Sequence, residues 1–163
     1  MEWNKLSEFY GFSDANLLVQ KWIYEFLINN NISESRKLIK KSSKLSWDKG
    51  SKYSLVFLDL YDKEYRRAKN RMKEILKKRQ FRYESRTVEQ VIDFMDDVLD
   101  KYEDRYEFLY WQSLLYYHKI ENIPMAYKKI NNYIIKKWNN NFEFEIYNPF
   151  MLSKELERKM DVH

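Results

Sequence analysis

Apolar residues recur at three-to-four spacing through most of the chain, the period of a helix with one buried face. From about Ala15 to Asn29, Leu18, Val19, Trp22, Ile23 and Phe26 make such a face, with Ser13 or Asp14 as its cap. The run Asn29-Asn30-Asn31 interrupts the pattern, and Ser33 is a natural N-cap for a second helix carrying Leu38, Ile39, Ser42 and Leu45. So short a turn predicts an antiparallel hairpin. After Asp48-Lys49-Gly50-Ser51 a third set follows, Tyr53, Val56, Phe57, Leu60 and Tyr61, and then a fourth, Tyr65, Ala68, Met72 and Ile75. Whether these are one helix or two turns on Asp62-Lys63.

Thr87-Val88-Glu89-Gln90 has the form of a capping box, followed by the helical set Val88, Val91, Ile92, Met95, Val98, Leu99 and Tyr102. The segment from about Asp104 to Lys119 is apolar nearly all the way round, which predicts a helix enclosed by others at the centre of the fold. Pro124 suits the first turn of the next helix, where its missing N–H costs little, and Ile123, Tyr127, Ile130, Ile134 and Trp138 supply the buried side. From Phe142 to Tyr147 apolar and polar residues alternate with period two, so a short extended segment is expected at 142–147. It either presses Phe142, Phe144 and Ile146 onto the helices or offers an edge for self-association. Asn148-Pro149 then opens a last helix. The expected fold is all-α, with about seven helices in antiparallel hairpins, as a repeat-like stack or an irregular bundle.

Composition narrows the chemistry. Two glycines, Gly11 and Gly50, two prolines and no cysteine leave no glycine-rich phosphate loop, no zinc knuckle and no thiol nucleophile. With 44% hydrophobic and 34% charged residues the chain has the make-up of one globular domain, 1–163. No stretch reaches the roughly 18 apolar residues of a membrane span, and the N-terminus lacks the order of a secretory signal. A cytoplasmic protein is expected, and its net charge of +5 permits an acidic partner.

Ser35 set against Ala126 aligns two helical pairs, with Ile32 matching Ile123, Ile39 matching Ile130 and Trp47 matching Trp138. In the preceding helices Ile23 matches Leu114 and Phe26 matches Tyr117, and Ala68 supplies a third copy with Tyr65, Met72 and Ile75. This pattern resembles the tetratricopeptide repeat, whose helix pairs carry a small residue early in the second helix. Ser35 to Ala68 is 33 residues, close to that family's period, whereas Ala68 to Ala126 is 58, and Asp59 stands where an aromatic is wanted. The resemblance implies a groove that binds a peptide or partner helix, without catalysis.

Charge is segregated. Lys63 to Arg86 holds eleven Lys or Arg against three Glu, a local net of +8, and Glu89 to Glu107 holds eight Asp or Glu against two bases, a net of −6. The basic segment 63–82 is the candidate binding surface, for nucleic acid or an acidic partner, through Arg66, Arg67, Arg71, Lys77, Lys78, Arg79 and Arg82. Phe81, Tyr83 and Tyr65 could add stacking. Alternatively, part of the basic set meets the acidic helix and the rest is solvated. Asp93, Asp96, Asp97 and Asp100 share a helix face but read as its polar side rather than a metal site. His118 reads as a local cap or a solvated imidazole. Arg158-x4-His163 is similar to the motif of the HEPN ribonucleases, in which the His handles protons and the Arg the phosphate charge, but here the His is the last residue. The expectation is a non-catalytic protein- or peptide-binding module without cofactor or metal, with nucleic-acid binding through 63–82 as the alternative.

Overall fold

The computed structural model describes residues 14–44, 50–77, 85–102, 104–137 and 141–161. Among them run eight α-helices: α1 (Asp14–Leu27), α2 (Ile32–Ser43), α3 (Ser51–Tyr61), α4 (Tyr65–Lys77), α5 (Ser85–Lys101), α6 (Glu107–Leu115), α7 (Ile123–Lys137) and α8 (Pro149–Asp161). A π-helical turn, Tyr116–Ile120, prolongs α6, and no strand occurs among the described residues. The fold is all-α, as the periodicity requires. α3 and α4 are separate helices because the chain reverses at Asp62-Lys63, where Lys63 takes φ 58°. Trp47, Trp138, Leu45, Lys78, Arg79, Phe81, Arg82, Tyr83 and His163 lie outside the described residues.

The turns follow local chemistry. Asn30, at φ 51°, carries the chain from α1 into α2, a backbone region that Asn tolerates better than most residues. Asn31, not Ser33, caps α2: its side chain accepts the Glu34 N–H at 3.1 Å, which places Ser33 inside the first turn. Asn122 caps α7 by accepting the Met125 N–H at 3.2 Å, with Pro124 in the first turn. Asn148 accepts the N–H groups of Phe150 and Met151, and Pro149 opens α8. α5 begins at Ser85, two residues before Thr87, so the capping-box sequence forms its first turn rather than its boundary.

Hairpins α1/α2, α3/α4 and α6/α7 pack closely, α2 also lies on α3, and α8 lies on α7. α5 bridges the two halves by touching both α3 and α6. Small residues sit at the hairpin contacts. Ser35 is fully buried and its hydroxyl donates to the Trp22 carbonyl at 3.1 Å, while Ser113 of α6 donates to the Ala126 carbonyl at 2.8 Å.

Two helices form the centre. α6 is enclosed, with Phe108, Leu109, Tyr110, Trp111, Leu114 and Leu115 all buried, and α3 is enclosed in the same way through Tyr53 and Leu55 to Leu60. One hydrophobic cluster joins them, in which Phe57 packs on Phe26, Phe94 and Phe108 with ring centroids 4.7–5.2 Å apart. Such aromatic pairs contribute about 0.5–1.5 kcal/mol beyond their buried area. Arg105 locks the end of α3, donating to the carbonyls of Leu60, at 3.1 Å, and Tyr61 with its guanidinium over the Tyr61 ring.

The 142–147 segment is irregular, with bends at 143–144 and 146–147. Phe144 is buried and Ile146 half-buried, but Phe142 is exposed. The alternation fails at Glu145, whose buried carboxylate accepts from the Tyr133 hydroxyl and pairs with Lys137. Tyr110 holds the segment's end, its hydroxyl accepting the N–H groups of Ile146 and Tyr147, both at 2.9 Å. Those two amides are therefore occupied within the chain.

Candidate binding surface

α4 buries a narrow stripe, Ala68, Met72 and Ile75, with Tyr65 half-buried beside it. Most of the remaining positions carry charged side chains. Arg66, Arg67, Lys73 and Lys77 are exposed, and none has a carboxylate within ion-pair distance among the described residues. Of the sequence-derived site residues, the structure brings Arg66, Arg67 and Arg71 together around one open basin of about 580 Å³. Lys40, Glu64, Asn70 and Glu74 complete its lining. Lys77 is exposed at the end of the helix, outside this basin. Tyr65 is not available for stacking, because its hydroxyl donates to Glu107 at 3.1 Å and its ring packs on Phe144 at 5.2 Å.

Arg71 has a second attachment. Its Nε lies 2.8 Å from an Asp59 carboxylate oxygen, and Asp59 is 0% exposed in the last turn of α3. The other oxygen of Asp59 accepts from Arg36 of α2, whose second terminal nitrogen is 3.7 Å from Asp62. A buried carboxylate must be paired to persist, and here bases from the helices on either side of α3 pair it. Sequence reasoning placed Asp59 only as a departure from a repeat pattern. The available signal was a single carboxylate inside the apolar run Ser54-Leu55-Val56-Phe57-Leu58-Asp59-Leu60. Arg36 and Lys40 carried no such signal, since only tertiary packing brings α2 beside α4.

The acidic helix does not, among the described residues, neutralise this surface. Among the described residues no base of α4 pairs with a carboxylate of α5, and Arg71 turns instead to α3. Asp96 accepts from Gln112 of α6 and Lys129 of α7, both at 2.7 Å. Those contacts form one edge of a second cavity of about 640 Å³, lined by Asp96 and Asp100 of α5, Lys129, Asn132 and Lys136 of α7, and Leu99 and Leu109. The described residues contain no group of three metal-ligating side chains.

His118 is half-buried. It stacks on Tyr117 at 4.4 Å and faces Tyr147 at 5.8 Å, and its Nε2 is buried without a hydrogen bond. Burial lowers its pKa, Glu155 opposes that shift and Lys119 adds to it. Tyr117, which donates to Glu155 at 3.0 Å, is pushed up to about 12, first by burial and then by that hydrogen bond. Exposed apolar side chains gather at Tyr147, Phe150 and Met151, where α8 begins. No helix among the described residues is long and apolar enough to cross a membrane. Comparison with protein-family models, with curated proteins and with solved structures finds no match to this chain.

Proposed function

We propose that this protein is a non-catalytic binding module that receives an acidic segment of a partner protein on the basic face of α4. The observation that carries the reading is the exposed set Arg66, Arg67, Lys73 and Lys77, unpaired among the described residues. Like charges at i,i+4 positions, such as Lys69/Lys73 and Lys73/Lys77, cost an isolated helix about 0.2–0.5 kcal/mol each. Folding gives that cost no return, whereas an acidic ligand would. Lys40 reaches the same basin from α2, so the surface spans two helices.

Nucleic-acid binding through 63–82 draws on the same unpaired bases. Two features favour a protein ligand instead: Glu64 and Glu74 interrupt the basin, and Tyr65 is engaged inside the fold. A polyphosphate backbone would meet both carboxylates, whereas a peptide of mixed sequence can place its own donors against them. We read the three hairpins as a tetratricopeptide-like stack, a reading supported by fully buried Ser35, Ala68 and Ala126 at equivalent places.

The test is fluorescence anisotropy with a labelled Asp/Glu-rich decapeptide and with single-stranded RNA of matched length, at about 50 and 200 mM salt. The peptide is expected to bind, and an Arg66→Glu/Arg67→Glu/Lys73→Glu variant to lose at least tenfold in affinity. Salt-steep binding of RNA with no binding of the peptide would reverse the assignment.

A further inference from the structure

The basin holds one arginine that is already ion-paired within the fold. Nε of Arg71 lies 2.8 Å from Asp59, an ion pair without the alignment of a hydrogen bond, and Arg36 engages that fully buried carboxylate from its other side. The remaining guanidinium nitrogens of Arg71 have no partner among the described residues, its side chain is 30% exposed, and it lines the basin. A guanidinium ion-paired only near Nε keeps its two terminal nitrogens as a planar fork, suited to two oxygens of one anion. Arg67 stands one turn before it on the same helix face, and Lys40 stands opposite on α2.

The charge of the basin selects among anions. Its lining carries four bases, Lys40, Arg66, Arg67 and Arg71, of which Arg71 already faces Asp59, against two carboxylates, Glu64 and Glu74. A phosphomonoester carries about −1.5 to −2 near neutral pH and offers three acceptor oxygens. A side-chain carboxylate carries half that charge and two oxygens. A phosphodiester chain carries one charge per residue and continues in both directions, towards Glu64 and Glu74. At about 580 Å³ the basin exceeds a phosphoryl group and has room for the side chain that bears it.

We propose that Arg71, ion-paired with buried Asp59, together with Arg67 and Lys40 forms a site for a phosphorylated side chain within the acidic partner segment. This rests on the basic face being the binding surface, and adds that one doubly charged phosphomonoester is its anchor.

The experiment compares the intact protein's affinity for two labelled decapeptides of identical acidic sequence, one with a central serine and one with phosphoserine there. Single-stranded RNA of ten nucleotides is the third probe. The phosphopeptide is expected to bind about tenfold or more tightly than its unmodified form, as two charge-assisted hydrogen bonds would give. Arg71→Lys keeps the charge but not the fork and should cut that increment to about threefold or less. Arg67→Ala, at an exposed position with no hydrogen bond or ion pair among the described residues, should also shrink it and guards against a folding defect in the first variant. Equal binding of the two peptides would overturn the phosphate site while leaving the basic surface standing. Binding of neither peptide would remove both. RNA bound more tightly than the phosphopeptide, or an increment that survives both variants, would also overturn the assignment.

Discussion

Replacing Asp59 with Asn keeps the shape of the side chain and removes the charge on which Arg36 and Arg71 converge. Two guanidinium groups then face a neutral amide at a site with no solvent exposure. Breaking a fully buried pair by removing one partner costs about 3–5 kcal/mol. The Arg36 and Arg71 side chains remain 12% and 30% exposed, so both recover some hydration, and the lower end, about 3 kcal/mol, applies. For a chain of this length, 1 kcal/mol moves Tm by about 2–4 °C, which gives a fall of about 6–12 °C. Thermal and urea unfolding followed by circular dichroism at 222 nm would measure it, with the urea slope unchanged if only stability moves. Adding Arg71→Met to Asp59→Asn should cost less than the sum of the single changes by at least about 1 kcal/mol, because the second change removes a charge the first has orphaned. A fall in Tm below about 2 °C, or strict additivity, would refute the view that Asp59 holds α2, α3 and α4 together through these bases.

Tyr110→Phe removes the acceptor for the amides of Ile146 and Tyr147, and should cost about 1–3 kcal/mol and speed hydrogen exchange at those two amides ahead of the α6 amides. Unchanged exchange there would mean that Phe144 alone fixes the segment. Seven described tyrosines, Tyr61, Tyr65, Tyr106, Tyr110, Tyr116, Tyr117 and Tyr133, have pKa values raised above 10.0, with burial the first cause in each. A raised folded pKa binds protons more tightly than the unfolded chain, so this contribution is intact below pH 10 and is lost as pH climbs past it. Urea midpoints should therefore fall between pH 10 and 12, with phenolate absorbance at 295 nm appearing together with unfolding. Gradual ionisation of these tyrosines in a chain that stays folded would contradict that burial.

Wherever local chemistry decides, the sequence was legible. The nearly continuous apolar surface of Glu107–Leu115 could only belong to an enclosed helix, and Asn148-Pro149 could only open one. The N-terminus of α2 was harder, because Asn31 and Ser33 are both competent caps, and the left-handed turn at Asn30 decides for Asn31. The periodicity of α3 gives one face, Tyr53, Val56, Phe57, Leu60 and Tyr61, and leaves Asp59 as a departure from a repeat; the partners that let a carboxylate be buried there come from α2 and α4. Glu145 failed for the same reason, since Tyr133 and Lys137 compensate a burial that alternation placed in solvent. The basic surface was visible as composition along 63–82, but its division into Arg71, tied to Asp59, and Arg66, Arg67, Lys73 and Lys77, left unpaired, depends on which helices α4 meets.

The most direct measurement locates the ligand on the protein. Titration of the isotopically labelled chain with the acidic decapeptide, followed by backbone and arginine Nε–Hε chemical shifts, would do so residue by residue. The account predicts saturating shifts centred on Lys40, Arg66, Arg67, Asn70 and Arg71, with α8 and the cavity between α5 and α7 unmoved. Shifts confined to the Asp96–Lys129 cavity or to Tyr147–Met151, with α4 silent, would contradict it.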